Sequence, residues 1–185
     1  LSKYMQIIIN QSNKLNQHIE KILYVAKTES KQIVLDKTKV DVKVLLELVK
    51  ENIVLKHQKE IKIDIQLERD YIIQADEFHF YNVLYNIMDN AVKYSVEGSE
   101  IEIQTCLDDS EVIVMVKDRG LGVTAKDLPH LFDKFYRARQ TEKISGTGLG
   151  LAICKGIVDA HRGRIWAKQR TGGGSIFAFA LPVTL

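Results

Sequence analysis

Residues 76–94 read DEFHFYNVLYNIMDNAVKY, and the two sides of this stretch differ in character. Asp76 is a favourable N-cap, so the pattern predicts a helix that runs from there to about Tyr94. At about 3.6 residues per turn, the apolar residues share one arc and the polar ones another arc of roughly 60°. The apolar arc holds Phe80, Leu84, Ile87, Met88 and Ala91, and the polar arc holds Asn86, Asn90 and Lys93. One face is therefore expected in a core, while the other presents amides and an amine.

Apolar residues alternate in several segments around this helix. Residues 61–67 alternate strictly, and we expect 71–75 to return as their hairpin partner across 68–70. Two further hairpins are predicted, 101–105 with 112–116, and 164–170 with 175–181 around Gly172-Gly173-Gly174.

Two more helices are predicted. One begins after Asp41, its expected N-cap, and carries its apolar stripe on Val44, Leu45, Leu48, Val49 and Ile53. The other covers 149–161. This order of elements predicts an α+β fold, a two-layer sandwich with a mixed sheet and helices on one face.

The first 30 residues have a different pattern. Apolar or small residues recur there at alternating steps of three and four, which is the heptad spacing of a helix packed lengthwise on other helices. These residues are Met5, Ile8, Ser12, Leu15, Ile19, Ile22 and Ala26. We therefore expect residues 1–30 to form a long bundle helix and residues 41–185 a globular domain. A helix packed on its own domain is the alternative.

Composition excludes several classes of protein. With 26 Lys and Arg against 24 Asp and Glu, the net charge of +2 supplies no bulk field for nucleic acid or an anionic membrane. Cys106 and Cys154 are too few and too distant for a disulfide framework, which favours the cytosol. No apolar run approaches the roughly 20 residues that span a bilayer. We expect a cytosolic piece of a longer protein, without direct membrane contact.

Asp118-Arg119-Gly120-Leu121-Gly122 follows a predicted strand, where ligands commonly bind in layered folds. A carboxylate only accepts hydrogen bonds, so Asp118 suits the exocyclic amine of adenine, and the glycines allow the base to approach the backbone closely. By itself the motif is weak evidence, because a tight turn that needs positive φ produces the same pattern.

Gly146-Thr147-Gly148-Leu149-Gly150-Leu151 directly precedes a predicted helix, where free N–H groups and the helix dipole favour phosphate. The segment lacks the GK[ST] of a Walker A loop and the last glycine of the dinucleotide fingerprint. Between the two glycine clusters, residues 132–137, Arg139 and Lys143 are aromatic and cationic. This stretch is typical of a mobile lid, or of a short amphipathic helix followed by a solvated loop.

Together and in this order, four segments resemble the N, G1, F and G2 boxes of sensor histidine kinases. They are Asn86-Ile-Met-Asp-Asn90-Ala-Val-Lys93-Tyr94, Asp118-Arg-Gly120-Leu-Gly122, Phe132-Asp-Lys-Phe135-Tyr-Arg137 and Gly146-Thr-Gly148-Leu-Gly150-Leu151. The resemblance covers about residues 41–185 as the catalytic ATP-binding domain, which has the Bergerat-type fold. It extends more loosely to residues 1–30 as the second helix of a dimerisation and phosphotransfer hairpin.

The resemblance implies roles for individual residues, with ATP and Mg²⁺ as cofactors. Asn90 would ligate Mg²⁺, Asp118 would recognise adenine, and Lys93, Arg137 and the turn from Gly146 to Leu151 would contact phosphates. The implied ATP-binding set is Asn86, Asn90, Lys93, Tyr94, Asp118, Gly120, Gly122, Phe135, Arg137, Gly146, Thr147, Gly148, Leu149, Gly150 and Leu151.

Asn86 separates this chain from other ATPases of the same wider group, which place a glutamate there to activate water. Because an amide is no general base near neutral pH, phosphoryl transfer is favoured over hydrolysis. No histidine here has the acidic neighbour and following proline of the family's acceptor, so all five are interpreted as structural or solvated. We expect the acceptor helix to precede Leu1.

In the family, the phosphoryl group passes to a response-regulator receiver domain, and the kinase is a homodimer through its helical hairpin. Both are expected partners here. Alternatives are a degenerate module used only for assembly, a hydrolytic ATPase of the wider group, and a serine kinase of the anti-sigma-factor type.

Overall fold

A computed structural model of the chain describes residues 33–57, 59–141, 144 and 146–183, together with Met5 and Ile19. The bundle helix predicted over residues 1–30 lies outside the described residues, apart from these two positions. The predicted boundaries of two units, 1–30 and 41–185, stay a prediction. Among the described residues, no helix is long and apolar enough to cross a membrane.

The described elements alternate between strands and helices. The strands are β1 (Thr38–Asp41), β2 (Lys62–Leu67), β3 (Ile72–Ala75), β4 (Glu100–Asp108), β5 (Glu111–Lys117), β6 (Arg164–Gln169) and β7 (Ser175–Pro182). The helices are α1 (Val42–Lys56), α2 (Glu77–Tyr94) and α3 (Gly150–Ala160), with short 3-10 turns at Leu128–His130 and Arg139–Thr141. The main sheet has the order β2-β4-β5-β7-β6, and β1 and β3 form a separate ribbon. Only the β2–β4 pair is parallel, so the sheet is mixed as predicted.

Both predicted N-caps are confirmed. The Asp41 carboxylate accepts from the backbone N–H groups of Lys43 and Val44 at the start of α1. The Asp76 carboxylate accepts from the N–H of His79 at 3.0 Å and so begins α2. These bonds satisfy donors that have no acceptor inside the first turn of a helix.

The face that α1 buries differs from the prediction. Val44 and Leu48 are 64% and 45% exposed. The buried face consists of Val42, Leu45, Leu46, Val49 and Ile53. Apolar residues occupy both sides of α1, so periodicity alone left the choice open, and packing against the rest of the domain decided it.

The first predicted hairpin is wrong. β3 pairs antiparallel with β1, placing Val40 opposite Ile73. β2 instead runs parallel to β4, with Ile63 opposite Ile101. Strand β1 carries only four residues and escaped prediction, and a three-residue connection favours a hairpin without requiring one. The two later hairpins are confirmed as β4–β5 and β6–β7.

The core lies between the main sheet and the helices. Inward side chains of the central strands, such as Val114 and Phe179, are about 1% exposed. Phe179 meets Phe80 of α2 edge to face, with ring centroids 5.8 Å apart. Side chains alternate across a strand, so Glu102 and Lys117, which are opposite each other on β4 and β5, project from the other face of the sheet. The helices therefore cover one face, as the α+β prediction requires.

Candidate functional site

One cleft gathers the predicted residues from four separate segments. It lies between the polar face of α2, the chain that leaves β5, the loop that follows and the glycine turn before α3. Twelve of the fifteen predicted residues line it, namely Asn86, Asn90, Lys93, Tyr94, Asp118, Gly122, Arg137, Gly146, Thr147, Gly148, Gly150 and Leu151. Residues more than 60 positions apart in the sequence thus share one surface.

The three remaining predicted residues lie beside the cleft and support its walls. A Cβ on Gly120 would stand 2.4 Å from the Tyr94 carbonyl oxygen, so this glycine lets the chain after β5 pass the end of α2. Leu149 is 1% exposed and belongs to the core. Phe135 is 64% exposed, yet its backbone N–H donates to the Gly148 carbonyl at 3.0 Å. Their contribution to the cleft is through the backbone and packing.

The cleft also contains residues that the sequence motifs did not single out. These are Asp89, Leu121, Val123, Leu131, Tyr136, Ala138, Thr141, Ser175 and Phe177. Several are apolar, and they supply the hydrophobic surface that flat ligands require. Ser175 directly follows three glycines, which was its only signal in the sequence. Asp89, Leu121 and Tyr136 lie inside the quoted motifs but had no role assigned to them. The other apolar residues gave no signal, because they look like ordinary core positions.

Asp118 is the most deeply buried acid of the cleft, with 3% exposure. Its Oδ1 accepts from the backbone N–H of Gly120 at 2.8 Å and from that of Ser175 at 3.1 Å. These two bonds fix the orientation of the carboxylate. Burial raises the pKa of Asp118 above its ordinary value, although the two N–H groups and the charge of Arg170 act in the opposite direction.

The polar face of α2 stands directly against the glycine turn. Asn86 Nδ2 donates to the Asn82 carbonyl at 2.8 Å, and a Cβ on Gly150 would meet Asn86 Oδ1 at 3.3 Å. A Cβ on Gly146 would meet Lys93 Nζ at 3.0 Å. The glycines therefore leave room for the amide and the ammonium group, which both face the start of α3.

Amide oxygens are the groups here that suit a divalent cation. Among the described residues, no cluster of three or more His, Cys, Asp or Glu side chains is placed to hold a metal. Asn86 and Asn90 lie one turn apart on α2, and both line the cleft. Mg²⁺ prefers oxygen ligands and is commonly held by one or two protein groups together with the phosphates of a substrate. The donor set fits that mode of binding.

Asp89 also lines the cleft, where it is held by two side chains at the C-terminal end of α1. Its Oδ1 lies 2.6 Å from Lys56 Nζ and 2.8 Å from His57 Nε2. Burial acts to raise the pKa of Asp89, but the hydrogen bonds from Lys56 and His57 outweigh it, and the pKa lies below its ordinary value. The carboxylate is consequently ionised and ties the end of α1 to α2.

The loop between the two glycine clusters is fastened over the cleft. The Arg137 guanidinium donates to the backbone carbonyls of Thr141, at 2.7 Å, and Ile144. Gln140 Nε2 donates to the Gly122 carbonyl at 2.7 Å. Lys143, part of the predicted lid, lies outside the described residues. Arg137 therefore lines the cleft while organising its own loop.

The start of α3 lies at the cleft. Leu149 occupies the N-cap position, and among the described residues no side chain caps the helix. The N–H groups of the first turn have no acceptor within the helix, and Gly150 and Leu151 of that turn line the cleft. Together with Lys93, this end of the cleft is suited to an anion.

Comparison with known proteins yields one family and many relatives. Residues 75–185 match the family described as histidine kinase-, DNA gyrase B-, and HSP90-like ATPase. The chain is 31% identical over 185 residues to the sensor histidine kinase WalK of Bacillus subtilis, covering 97% of this chain and 30% of WalK. It is 38% identical over 154 residues to the sensor protein KdpD of Clostridium acetobutylicum, covering 80% and 17% of the two chains. The chain thus spans a third or less of these relatives.

Solved structures give the same result. Full-length ShkA in complex with AMPPNP superimposes with a TM-score of 0.88 at 27% identity, covering 98% of this chain and 38% of ShkA. The histidine kinase ThkA in complex with the response regulator protein TrrA superimposes with a TM-score of 0.78 at 28% identity, covering 98% and 51%.

Proposed function

The chain belongs to the family of histidine kinase-, DNA gyrase B- and HSP90-like ATPases. We therefore propose that its cleft binds ATP with Mg²⁺ and that the γ-phosphoryl group of this ATP is transferred to a protein histidine. The observation that carries the proposal is one cleft in which apolar side chains, a buried carboxylate, amide oxygens and the start of a helix adjoin.

Each end of the cleft suits one part of the nucleotide. Asp118 accepts from the exocyclic amine of adenine, while Val123 and Phe177 contribute apolar surface to its surroundings. Lys93, Arg137 and the first turn of α3 contact the phosphates. To reach a phosphate, Arg137 exchanges its bonds to the loop carbonyls for bonds to the nucleotide.

The metal site is proposed on α2. Asn90 would ligate Mg²⁺ through its amide oxygen, and Asn86, one turn earlier on α2, lines the same cleft. When bound, Mg²⁺ neutralises phosphate charge. The chain's own contribution is to position the phosphates and to balance their charge.

Phosphoryl transfer, rather than hydrolysis, is favoured by the side chain at position 86. An amide cannot take a proton from water near neutral pH. Moreover, Asn86 Nδ2 is already engaged with the carbonyl of Asn82, one turn earlier. The γ-phosphoryl group is proposed to pass to a histidine on a helix outside this chain and then to an aspartate of a response regulator. The intact protein is proposed to be a homodimer and a membrane-anchored sensor with this part in the cytosol.

Calorimetric titration with a non-hydrolysable ATP analogue, with and without Mg²⁺, tests the proposal. We expect magnesium to strengthen binding to the unaltered chain and to have little effect on Asn90→Ala. Asn82→Ala is the matched control, because Asn82 lies on α2 and donates to the Phe78 carbonyl, outside the cleft lining. A folded chain that binds no adenine nucleotide would refute the proposal.

Transfer itself is tested by adding a separate helical hairpin that carries an acceptor histidine. With labelled ATP, we expect acid-labile phosphate on the hairpin, and none on the chain alone. Steady phosphate release that requires Asn86 would instead indicate a hydrolytic ATPase.

A further inference from the structure

Arg170, immediately after β6, reaches across the sheet to the segment that carries Asp118. Its Nη2 is hydrogen bonded to Glu102 Oε1 on β4, and its Nη1 donates to the Asp118 backbone carbonyl at 3.3 Å. The Arg170 backbone is itself held, because its N–H donates to the Gly174 carbonyl at 3.1 Å. The guanidinium thus joins β4 to the end of β5, and the backbone of the same residue is fixed within the β6–β7 turn.

We propose that Arg170, anchored by Glu102, is a positioning residue for Asp118 and thereby sets the selectivity of the cleft for adenine over guanine nucleotides. The inference rests on the proposed function, in which Asp118 recognises the base. Arg170 is not among the residues that line the cleft, so it acts through Asp118.

The burial of this pair separates it from ordinary surface ion pairs. The side chains of Arg170 and Glu102 are 12% and 19% exposed. Exposed pairs are held loosely and contribute little. Here a rigid guanidinium fork binds a carboxylate and a main-chain carbonyl at once, a geometry that only arginine provides. The position of the Asp118 main chain consequently depends on it.

Arg119 offers an internal comparison. Its Nη2 lies 3.8 Å from the same Glu102 oxygen, but its side chain is 52% exposed. Arg119 neighbours Asp118 in sequence and carries the same positive charge as Arg170. It differs from Arg170 in having no hydrogen bond to the Asp118 carbonyl among the described contacts. Removing Arg119 therefore changes the local charge without removing the support.

The positive charge of Arg170 also acts on the carboxyl group of Asp118. Burial raises the pKa of Asp118, whereas the charge of Arg170 lowers it. The other charged or titratable groups around this position are Glu102, Lys117 and Arg119 on the sheet side, Asp89, Lys93 and Tyr94 on α2, and Arg137 in the loop.

Protonation of Asp118 would alter which base the cleft accepts. The ionised carboxylate only accepts hydrogen bonds, which suits the amine of adenine. Guanine presents a carbonyl oxygen at the equivalent position, and two acceptors repel. A protonated carboxyl group can donate to that oxygen. Because the ionised form is lost as the pH falls through the pKa of Asp118, removing Arg170 moves this loss to a higher pH.

The test measures ADP and GDP affinities of the 185-residue chain between pH 5 and 8, at constant Mg²⁺. For Arg170→Met we expect ADP affinity to fall about tenfold, on the scale of one charge-assisted hydrogen bond. We also expect a smaller ADP to GDP ratio and an upward shift in the pH at which ADP binding is lost. Arg170→Lys should restore the pH dependence through its charge, and Arg119→Met should resemble the unaltered chain.

The outcomes distinguish this inference from the proposed function. If the unaltered chain binds ADP and Asp118→Asn weakens it, while Arg170→Met keeps the original selectivity and pH dependence, this inference alone is wrong. If the unaltered chain binds no ADP, both are wrong. Should Arg170→Met fail to fold, Glu102→Gln removes the anchor but keeps the Arg170 charge, so it is expected to lower the ADP to GDP ratio without moving the loss of ADP binding to a higher pH. An unchanged ADP to GDP ratio in Glu102→Gln would then overturn the inference.

Discussion

Replacing Gly148 with alanine tests how the glycine turn is held against the loop. Gly148 has φ +71°, and an added Cβ would lie 2.6 Å from the backbone carbon of Phe135 and 2.9 Å from its oxygen. Gly172 is a matched control, with φ +86° and nothing within 4 Å of its added Cβ. Both substitutions incur the left-handed backbone cost of roughly 1–2 kcal/mol. Only Gly148→Ala adds a clash with the backbone of Phe135. If this clash acts like an overpacked core, it lowers the free energy of unfolding by about 1–3 kcal/mol more.

The comparison needs two measurements on each variant. Urea unfolding gives the free energy of unfolding, and titration with an ATP analogue gives the affinity. If the loop moves to relieve the clash, Gly148→Ala should bind the ATP analogue more weakly while its free energy of unfolding changes little. We expect the two variants to differ by about 1–3 kcal/mol in one or both quantities. Equal stabilities and equal affinities would refute the claim that the Phe135 backbone supports the turn.

Three further predictions concern stability and reactivity. Lys59 Nζ donates to the carbonyl of Ser95 at 2.9 Å, beyond the end of α2. Lys59→Met should therefore lower the free energy of unfolding by about 0.3–1 kcal/mol. Lys155→Met is the control and should have a smaller effect, because the pair of Lys155 with Asp159 is exposed. Equal effects of the two substitutions in urea unfolding would contradict this prediction. Burial raises the pKa of Cys154 to about 12. A thiol reagent should therefore label Cys106 alone in the native chain and both cysteines in urea. Rapid labelling of Cys154 in the native chain would count against its burial. His161 Nε2 accepts from the Asp76 N–H at 3.0 Å, and burial lowers the pKa of this imidazole below 6.5, so the unfolded chain protonates first and stability should fall as the pH drops below about 6.5. His161→Gln should weaken that dependence in urea unfolding at pH 5.5 and 7.5, and an identical dependence would exclude His161 as its source.

Much of the architecture was predictable because its signals are local. Asp41 and Asp76 each stand at a helix start, and each accepts the backbone bonds expected of an N-cap. The two later hairpins follow from short connections between alternating segments, and both are confirmed. The polar arc on α2 was equally visible, because helical geometry alone places Asn86, Asn90 and Lys93 together.

The errors arose where partners are distant in the sequence. The β2–β4 pair joins segments that are 38 positions apart, and β1–β3 joins segments 31 to 37 positions apart. Alternation shows that a strand has one apolar face, but it does not say which strand lies beside it. The same limit applies to α1, whose two apolar sides gave periodicity no basis for choosing the buried one.

Motifs and local geometry were enough to predict the family, the class of fold and most residues of the cleft. The contacts that support the cleft became visible only in the folded chain. Three contacts join segments that are separated in the chain: the Arg170–Glu102 pair, the bond from Lys59 to the end of α2, and the close approach of Gly148 to the Phe135 backbone. A charged or glycine residue in the sequence does not reveal such a partner, since its energy depends on burial and distance, which exist only in the folded chain.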